Sequence, residues 1–358
     1  VVEESMPKRD YSLLGPENAA AVAKGLAEAQ WYRSPVPRDV MRALIQRSDH
    51  PAIRDTLLWF ALLVIFGTGG VMLSGSILAL PCFLCYGVLY GSASDSRWHE
   101  CGHRSAFKTR WMNNAVYQIA CFMILREPEI WRWSHARHHA DTIIVGRDPE
   151  IVAERPPNLL KLVLSFVGLP AALTTFRKLF AHALGRIEAD ERTYVPEAEW
   201  PRVVRTARVW LLIHAGVIGI AIVLQSWIPA LLVGVLPFLY GTWLSVYFGI
   251  TQHLGLAEDM LDHRLCARTV RMNPVFRFIY WNMNYHVEHH MFPMVPFHAL
   301  PQLHEAVRDD MPVPCRSTLA AYLEIIPALL RQRREPAYTV RRPLPPGATP
   351  YPAPVPAE

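Results

Sequence analysis

Three groups of histidines carry the chemistry that this sequence can do. His99 and His103 enclose Glu-Cys-Gly, His135 with His138 and His139 forms a second group, and His286 with His289 and His290 repeats the second group's spacing. Residues three and four apart share one face of an α-helix, so each group aims its imidazoles at a single point. Neutral imidazole suits iron, zinc, copper and nickel. A catalytic zinc uses three protein ligands and an octahedral ion six, so eight convergent rings call for two metal ions. A lone histidine is more often a hydrogen-bonded surface or core residue, but three groups at recurring spacing are not explained that way.

Written as motifs, these groups are an HxxxH box and two HxxHH boxes, the last inside Asn284-Tyr-His-Val-Glu-His-His-Met-Phe-Pro293. They resemble the boxes of the integral-membrane fatty acid desaturase and hydroxylase family over roughly residues 55 to 310, a specific match because motif and context agree. The resemblance implies two iron ions with O2 as co-substrate, and insertion of a C=C bond at an unactivated C–C bond, most simply of a fatty acyl chain. Hydroxylation, or a small polar substrate such as an amino acid, fits the same chemistry. It also implies a ninth ligand just past the last membrane span, where His253 stands in Thr251-Gln-His-Leu-Gly255. By the family's arrangement His99, His135, His139 and His289 would hold one ion, and His103, His138, His253, His286 and His290 the other. Iron suits the task because zinc offers no redox chemistry. Soluble di-iron proteins use paired Glu-x-x-His motifs, of which only Glu100 to His103 is present here.

Charged and amide groups beside the boxes are candidates for accepting the other ring N–H or for meeting the substrate: Glu100, Asp141, Asp148, Asn282, Asn284 and Glu288 for the first role. Glu129, Asp148, Glu150 and Asn284 would line a pocket for a polar substrate, walled by Trp131, Trp133, Phe248 and Trp281. An acyl tunnel would instead be long and apolar. The remaining histidines, His50, His182, His214, His263, His298 and His304, lack the spacing and read as structural.

Elements must position these groups, and composition says which. The chain has 358 residues, 51% of them hydrophobic and 19% charged, with positive mean hydropathy, which points to a membrane protein. A formal charge of +5 is mild and calls for no nucleic acid. Residues 56 to 94 contain no charge and are interrupted near Gly69, Gly70, Ser74 and Gly75; residues 209 to 257 are likewise uncharged, with a break at Gln225-Ser-Trp-Ile-Pro229. Each run has the length of two crossings of a ~30 Å hydrocarbon core. The expected fold is therefore all-α and polytopic, with four transmembrane helices in two hairpins and a cytosolic helical cap carrying the boxes.

Two hairpins return the chain to the side it left, so all boxes share one membrane face. Lys and Arg flank the runs and avoid their tips, which makes that face, and both termini, cytoplasmic. Residues 1–53 read as cytosolic or interfacial, with helices over 16–30 and 38–47. Residues 54–311 form the catalytic domain, and 312–358 a cytosolic helix and a Pro-rich tail from Pro343 to Pro356. Residues 111–125 are too short to span and read as dipping into the membrane; 159–184, with Lys161, Arg177 and Lys178, reads as an interfacial amphipathic helix. Residues 1–26 are too polar for a signal peptide. Cys82, Cys85, Cys101, Cys121, Cys266 and Cys315 form no disulfide framework.

No haem, nucleotide-loop or iron–sulfur motif is present, so electrons require an external donor, a ferredoxin or a cytochrome b5-like protein with its reductase. Arg104, Lys108, Arg110 and Arg132 are candidates for its docking face. Two rivals remain. His99-Glu100-Cys-Gly-His103 also spells the HExxH of a zinc protease, which leaves the other six boxed histidines unexplained. A metal transporter would place ligands near the bilayer midplane, whereas these lie at the ends of the uncharged runs.

Overall fold

The computed structural model describes residues 9–351, and within them it is helical, with no strand beyond two isolated bridges. The expectations that residues 1–8 are cytosolic or interfacial and that the Pro-rich tail continues past Tyr351 lie outside the described residues. The N-terminal segment holds α1 (Pro16–Ala23) and α2 (Arg38–Leu44), both shorter than expected. α3 (Asp49–Met72) follows with an acid in its first turn, and its return is made of α4 (Ala79–Gly87), a π-helical turn over Val88–Ser92, and α5 (Ala93–Gly102). Gly67 and Gly70 permit this hairpin: a Cβ there would stand 3.1 Å from the Tyr86 ring and 2.9 Å from that of Phe83.

Next come α6 (Arg110–Met123), α7 (Pro128–Ala140), α8 (Leu159–Ser165) and α9 (Leu169–Ala183). α10 (Trp200–Val223) begins the second uncharged run, and its return is broken into α11 (Ile228–Leu232), α12 (Val235–Gly241) and α13 (Trp243–His253). α11 begins after Gln225, at φ 47°, with Pro229 in its first turn, and it ends where Val233 is extended and Gly234 takes φ 92°. α14 (His263–Cys266), α15 (Pro274–Tyr280), α16 (His286–Met291), α17 (Leu300–Val307) and α18 (Thr318–Gln332) complete the chain.

Two helices are long and apolar enough to cross a membrane, one within residues 38–72 and one within 197–223. α8 and α9 add a third candidate as a span bent by 80°, where the sequence suggested a single interfacial helix. Their outward faces are apolar, with Val64, Ile65, Leu212, Ile222 and Leu173 all more than 40% exposed, as expected of surfaces that meet lipid.

The two hairpins lock where the π-helical turn meets α12. A Cβ on Gly241 would lie 1.9 Å from the Gly87 carbonyl, so only glycine lets these backbones touch. The Ser92 hydroxyl donates to the Gly241 carbonyl at 2.6 Å, and the Gly234 N–H donates to the Tyr90 hydroxyl at 3.0 Å. The π-helical turn thereby lies against both α12 and α13, with the Ser245 N–H donating to the Ser92 hydroxyl at 2.9 Å, and α5 continues directly from it.

Candidate metal centre

Each box sits on a short helix whose end is fixed by its own sequence. α7 starts where the Glu127 carboxylate accepts the Ile130 N–H at 2.7 Å, with Pro128 at the first helical position. α16 starts after Trp281 and Asn282, both in the left-handed region, a tight reversal that turns the third box back toward the first. Beneath it the fully buried Arg97 of α5 donates to the carbonyls of Ile279, at 2.8 Å, and Phe278, at 3.1 Å, and lies over the Trp59, Phe278 and Trp281 rings. This guanidinium ties the helix of the first box to the segment leading into the third.

The nine predicted histidines form two groups, with the ligating atoms of each group within 4.8 Å of one another: His99, His103, His135, His139 and His289, and His138, His253, His286 and His290. His253 thus stands with the boxes. His103 stands with the first group, not with the second where the resemblance put it. Within the groups the Nε2 atoms face inward, at 2.8 Å between His99 and His289 and 3.0 Å between His135 and His103. In the second group the corresponding separations are 2.9 Å between His286 and His253 and 3.0 Å between His290 and His286.

Hydrogen bonds on the outer nitrogens decide what those inward atoms are. His253 Nδ1–H donates to the Cys266 carbonyl at 2.6 Å, and His138 Nδ1–H to the Asp148 carboxylate at 2.8 Å. His135 Nδ1–H reaches Glu150 at 3.2 Å. The Thr142 hydroxyl spends its proton on the His138 carbonyl at 2.8 Å, so it accepts from His290 Nδ1–H at 3.2 Å. In these four rings the proton sits on Nδ1 and Nε2 presents a lone pair, whereas Nδ1 of His139, His286 and His289 has no hydrogen-bond partner among the described residues. Burial, reinforced by neighbouring rings, pushes the imidazoles of His135, His139, His286, His289 and His290 well down, so they stay neutral. For His138 burial acts the same way, but the Asp148 carboxylate outweighs it and raises the ring to about 9, so without a cation its Nε2 carries a proton that a metal ion would displace. Ring nitrogens gathered at about 3 Å from one another, every one able to turn a lone pair inward, make an all-nitrogen donor set that suits a first-row transition metal. The residues fit two metal ions.

Of the predicted neighbours, Asp148 and Glu150 contact box histidines and the others do not. Glu100 accepts from the Ser105 hydroxyl at 2.7 Å and the Phe297 N–H at 3.0 Å, away from the rings. Asp141 pairs with Arg137 and Arg147, and Glu129 lies 3.9 Å from Arg132. Asn282 bridges Arg277 and the Phe297 carbonyl, while Asn284 donates to the Val270 carbonyl at 2.8 Å. Glu288 accepts from the Thr269 hydroxyl at 2.6 Å and from His304, which makes His304 a brace for the third box. Arg132 stacks over Tyr117, and so is withdrawn from the basic face proposed for it. Phe248 and Trp281 are fully buried in the core.

Sequence reasoning missed Thr142, Cys266, His263 and His304. Thr142 lies four residues after His138 and was findable by helical spacing. The Cys266 carbonyl and His263, which is stacked on Trp31 at 4.2 Å and 5.1 Å from the His290 ring, had no local signal. Along the outer side of α7 runs a cavity of about 740 Å³, lined by Trp131, Ser134, Asp148, Thr174, Lys178 and Tyr194 among others. It adjoins α8 and α9, whose outer faces are apolar.

The fatty acid desaturase family matches residues 74–317. The Delta(5) fatty acid desaturase fat-4 of Caenorhabditis elegans is 26% identical over 228 residues, 56% of this chain and 51% of that protein. The sn-1 acyl-lipid omega-3 desaturase (ferredoxin) of Nostoc sp. (strain 36) is 24% identical over 228 residues, 60% of this chain and 63% of that protein. The Delta(12) fatty acid desaturase of Mortierella alpina is 29% identical over 117 residues, 32% of this chain and 27% of that protein. The chain spans less than two thirds of the length of each of these relatives.

Proposed function

The chain belongs to the fatty acid desaturase family, and on that premise we propose that it is a membrane-bound di-iron oxidoreductase that places a C=C bond in a fatty acyl chain. The observation that carries this reading is the pair of adjoining clusters of histidine ring nitrogens, each gathered within 4.8 Å. Two bound irons would supply the reduction of O2 to an oxidant able to take hydrogen from an unactivated carbon. In balance, –CH2–CH2– with O2, two electrons and two protons gives –CH=CH– and two waters. The protein's part is positional. Asp148 and Glu150 hold His138 and His135 through Nδ1–H, His304 and Thr269 anchor Glu288 in the third box, and Arg97 holds the first box against the third.

Four spans in two hairpins, with the boxes and both ends of the chain on the cytoplasmic face, fit the crossing of the two returns and the arginines that flank them. The cavity beside α7 is our candidate for the substrate's polar end, because it abuts both the second box and the lipid-facing α8 and α9. A polar amino-acid-like substrate is not favoured, since Asp148, Glu150 and Asn284 are turned to histidine rings and a backbone carbonyl. The protease reading also loses support, since Glu100 is held by Ser105 and Phe297.

The electron donor is a ferredoxin or cytochrome b5-like protein, a reading the ferredoxin named for the Nostoc relative supports. The test is purified chain in lipid nanodiscs with iron, O2, reduced ferredoxin and acyl lipid. We expect about two irons per chain and a product lacking two hydrogens. Bound iron with O2 consumption but no change in any acyl lipid or acyl thioester would refute the acyl reading.

A further inference from the structure

Resting on that reading, which requires electrons from outside the chain, we propose that α2 and the loop after the first box form the docking surface for an acidic one-electron carrier protein. A groove of about 410 Å³ lies along α2, lined by Val36, Arg38, Met41, Arg42, Ile45 and Phe292 among others, with no acid in its lining. Arg38 and Arg42 are exposed, and neither forms an ion pair with the described residues. The basic surface continues. Arg47, Arg104 and Arg110 are also exposed and unpaired among the described residues, and the segment between the last two is fastened to the start of α3, just past α2 in the chain, by Thr109, whose N–H and hydroxyl donate to Asp49 at 2.9 and 2.7 Å. Asp39 is the acid on α2, and it does not line the groove.

The floor of the groove identifies what a partner would do there. Phe292 follows α16 directly, its N–H bonded to the Glu288 carbonyl at 3.0 Å. It lies two residues from His290, in one cluster, and three from His289, in the other. One point of electron entry therefore serves both clusters. An apolar floor inside a charged rim suits a small, fast-dissociating interface in which charge complementarity steers encounter. Residues 38–45 lie outside the part matched by the family, so the groove's rim comes from the N-terminal segment, while its floor, Phe292, lies within the matched part.

The test uses the full chain in nanodiscs of uncharged phosphatidylcholine, with an acidic [2Fe–2S] ferredoxin as probe. Binding is measured at low and high salt, and desaturation is driven either by reduced ferredoxin or by reduced methyl viologen. Wild-type binding should weaken as salt rises. The double variant R38E/R42E should bind ferredoxin about tenfold more weakly at low salt, with iron content and viologen-driven turnover unchanged, while R186E on another face binds as wild type. Unchanged ferredoxin binding in the double variant would overturn the proposal. So would a loss seen only in binding to anionic phosphatidylglycerol vesicles, which would assign the groove to lipid headgroups. Charge-dependent ferredoxin binding without viologen-driven turnover would leave the docking surface standing and sink the desaturase reading.

Discussion

The Nδ1 atom of His138 lies 2.8 Å from the Asp148 carboxylate, which also accepts the Ile143 N–H at 2.7 Å and the Glu150 N–H at 2.8 Å. One carboxylate thus fixes a ring in the second box and the loop that carries Glu150, the acceptor for His135. A single loop sets rings in both clusters.

Asp148→Asn should keep part of this geometry and lose the charge that fixes the His138 tautomer. Partners of this kind typically contribute 10- to 100-fold in metal affinity, so iron retained against a chelator should fall by about that factor. Iron retention equal to wild type would show that the carboxylate serves only the loop.

Arg97→Lys should be poorly tolerated although it keeps the charge. Lysine cannot reach both the Phe278 and Ile279 carbonyls in a fixed fork, and each buried acceptor left unpaired costs about 1–3 kcal/mol. The expected result is a lower thermal midpoint together with reduced iron content, since the link between first and third boxes is loosened. A variant with wild-type melting and iron would remove Arg97 from this role.

Gly241→Ala should destabilise the membrane part. Its methyl would meet the Gly87 carbonyl at 1.9 Å, backbone against backbone, where neither side can swing away. Overpacking usually costs about 1–3 kcal/mol, and this contact should reach at least that range. Thermal aggregation in detergent measures it, with Gly216→Ala as a control, because a Cβ there meets nothing within 4 Å.

Glu191 supplies a pH dependence. Burial by itself would raise its pKa, but His182 Nε2 at 2.7 Å and Lys178 Nζ at 2.9 Å bring it below the ordinary value. A depressed carboxylate contributes stability that is present above its unfolded pKa, about 4.3 for Glu, and that is lost as pH falls through the folded value. The thermal midpoint should therefore drop through the acid range, and Glu191→Gln should be less stable near neutrality and flatter below it. Parallel pH curves for the two proteins would rule out this linkage.

The histidine chemistry was readable in the sequence because a helix converts spacing directly into direction. Each box needed only one or two turns of helix to aim its rings, and the apolar runs needed only length to mark the hairpin regions. The ends of α7 and α16 were local matters too, set by Glu127, Pro128 and the residues just before His286. What tertiary structure alone decided was everything that depends on elements distant in the chain. His103 joined the first cluster because the folded chain sets its ring beside those of His135, His139 and His289, which come from two other helices. Glu100, Asp141 and Glu288 looked equivalent to Asp148 in the sequence, yet they turned to Ser105, Arg137 and His304, while Glu150, expected in a substrate pocket, turned to His135. A buried carboxylate goes to the nearest donor in space, and spacing along one helix says nothing about which donor another helix brings.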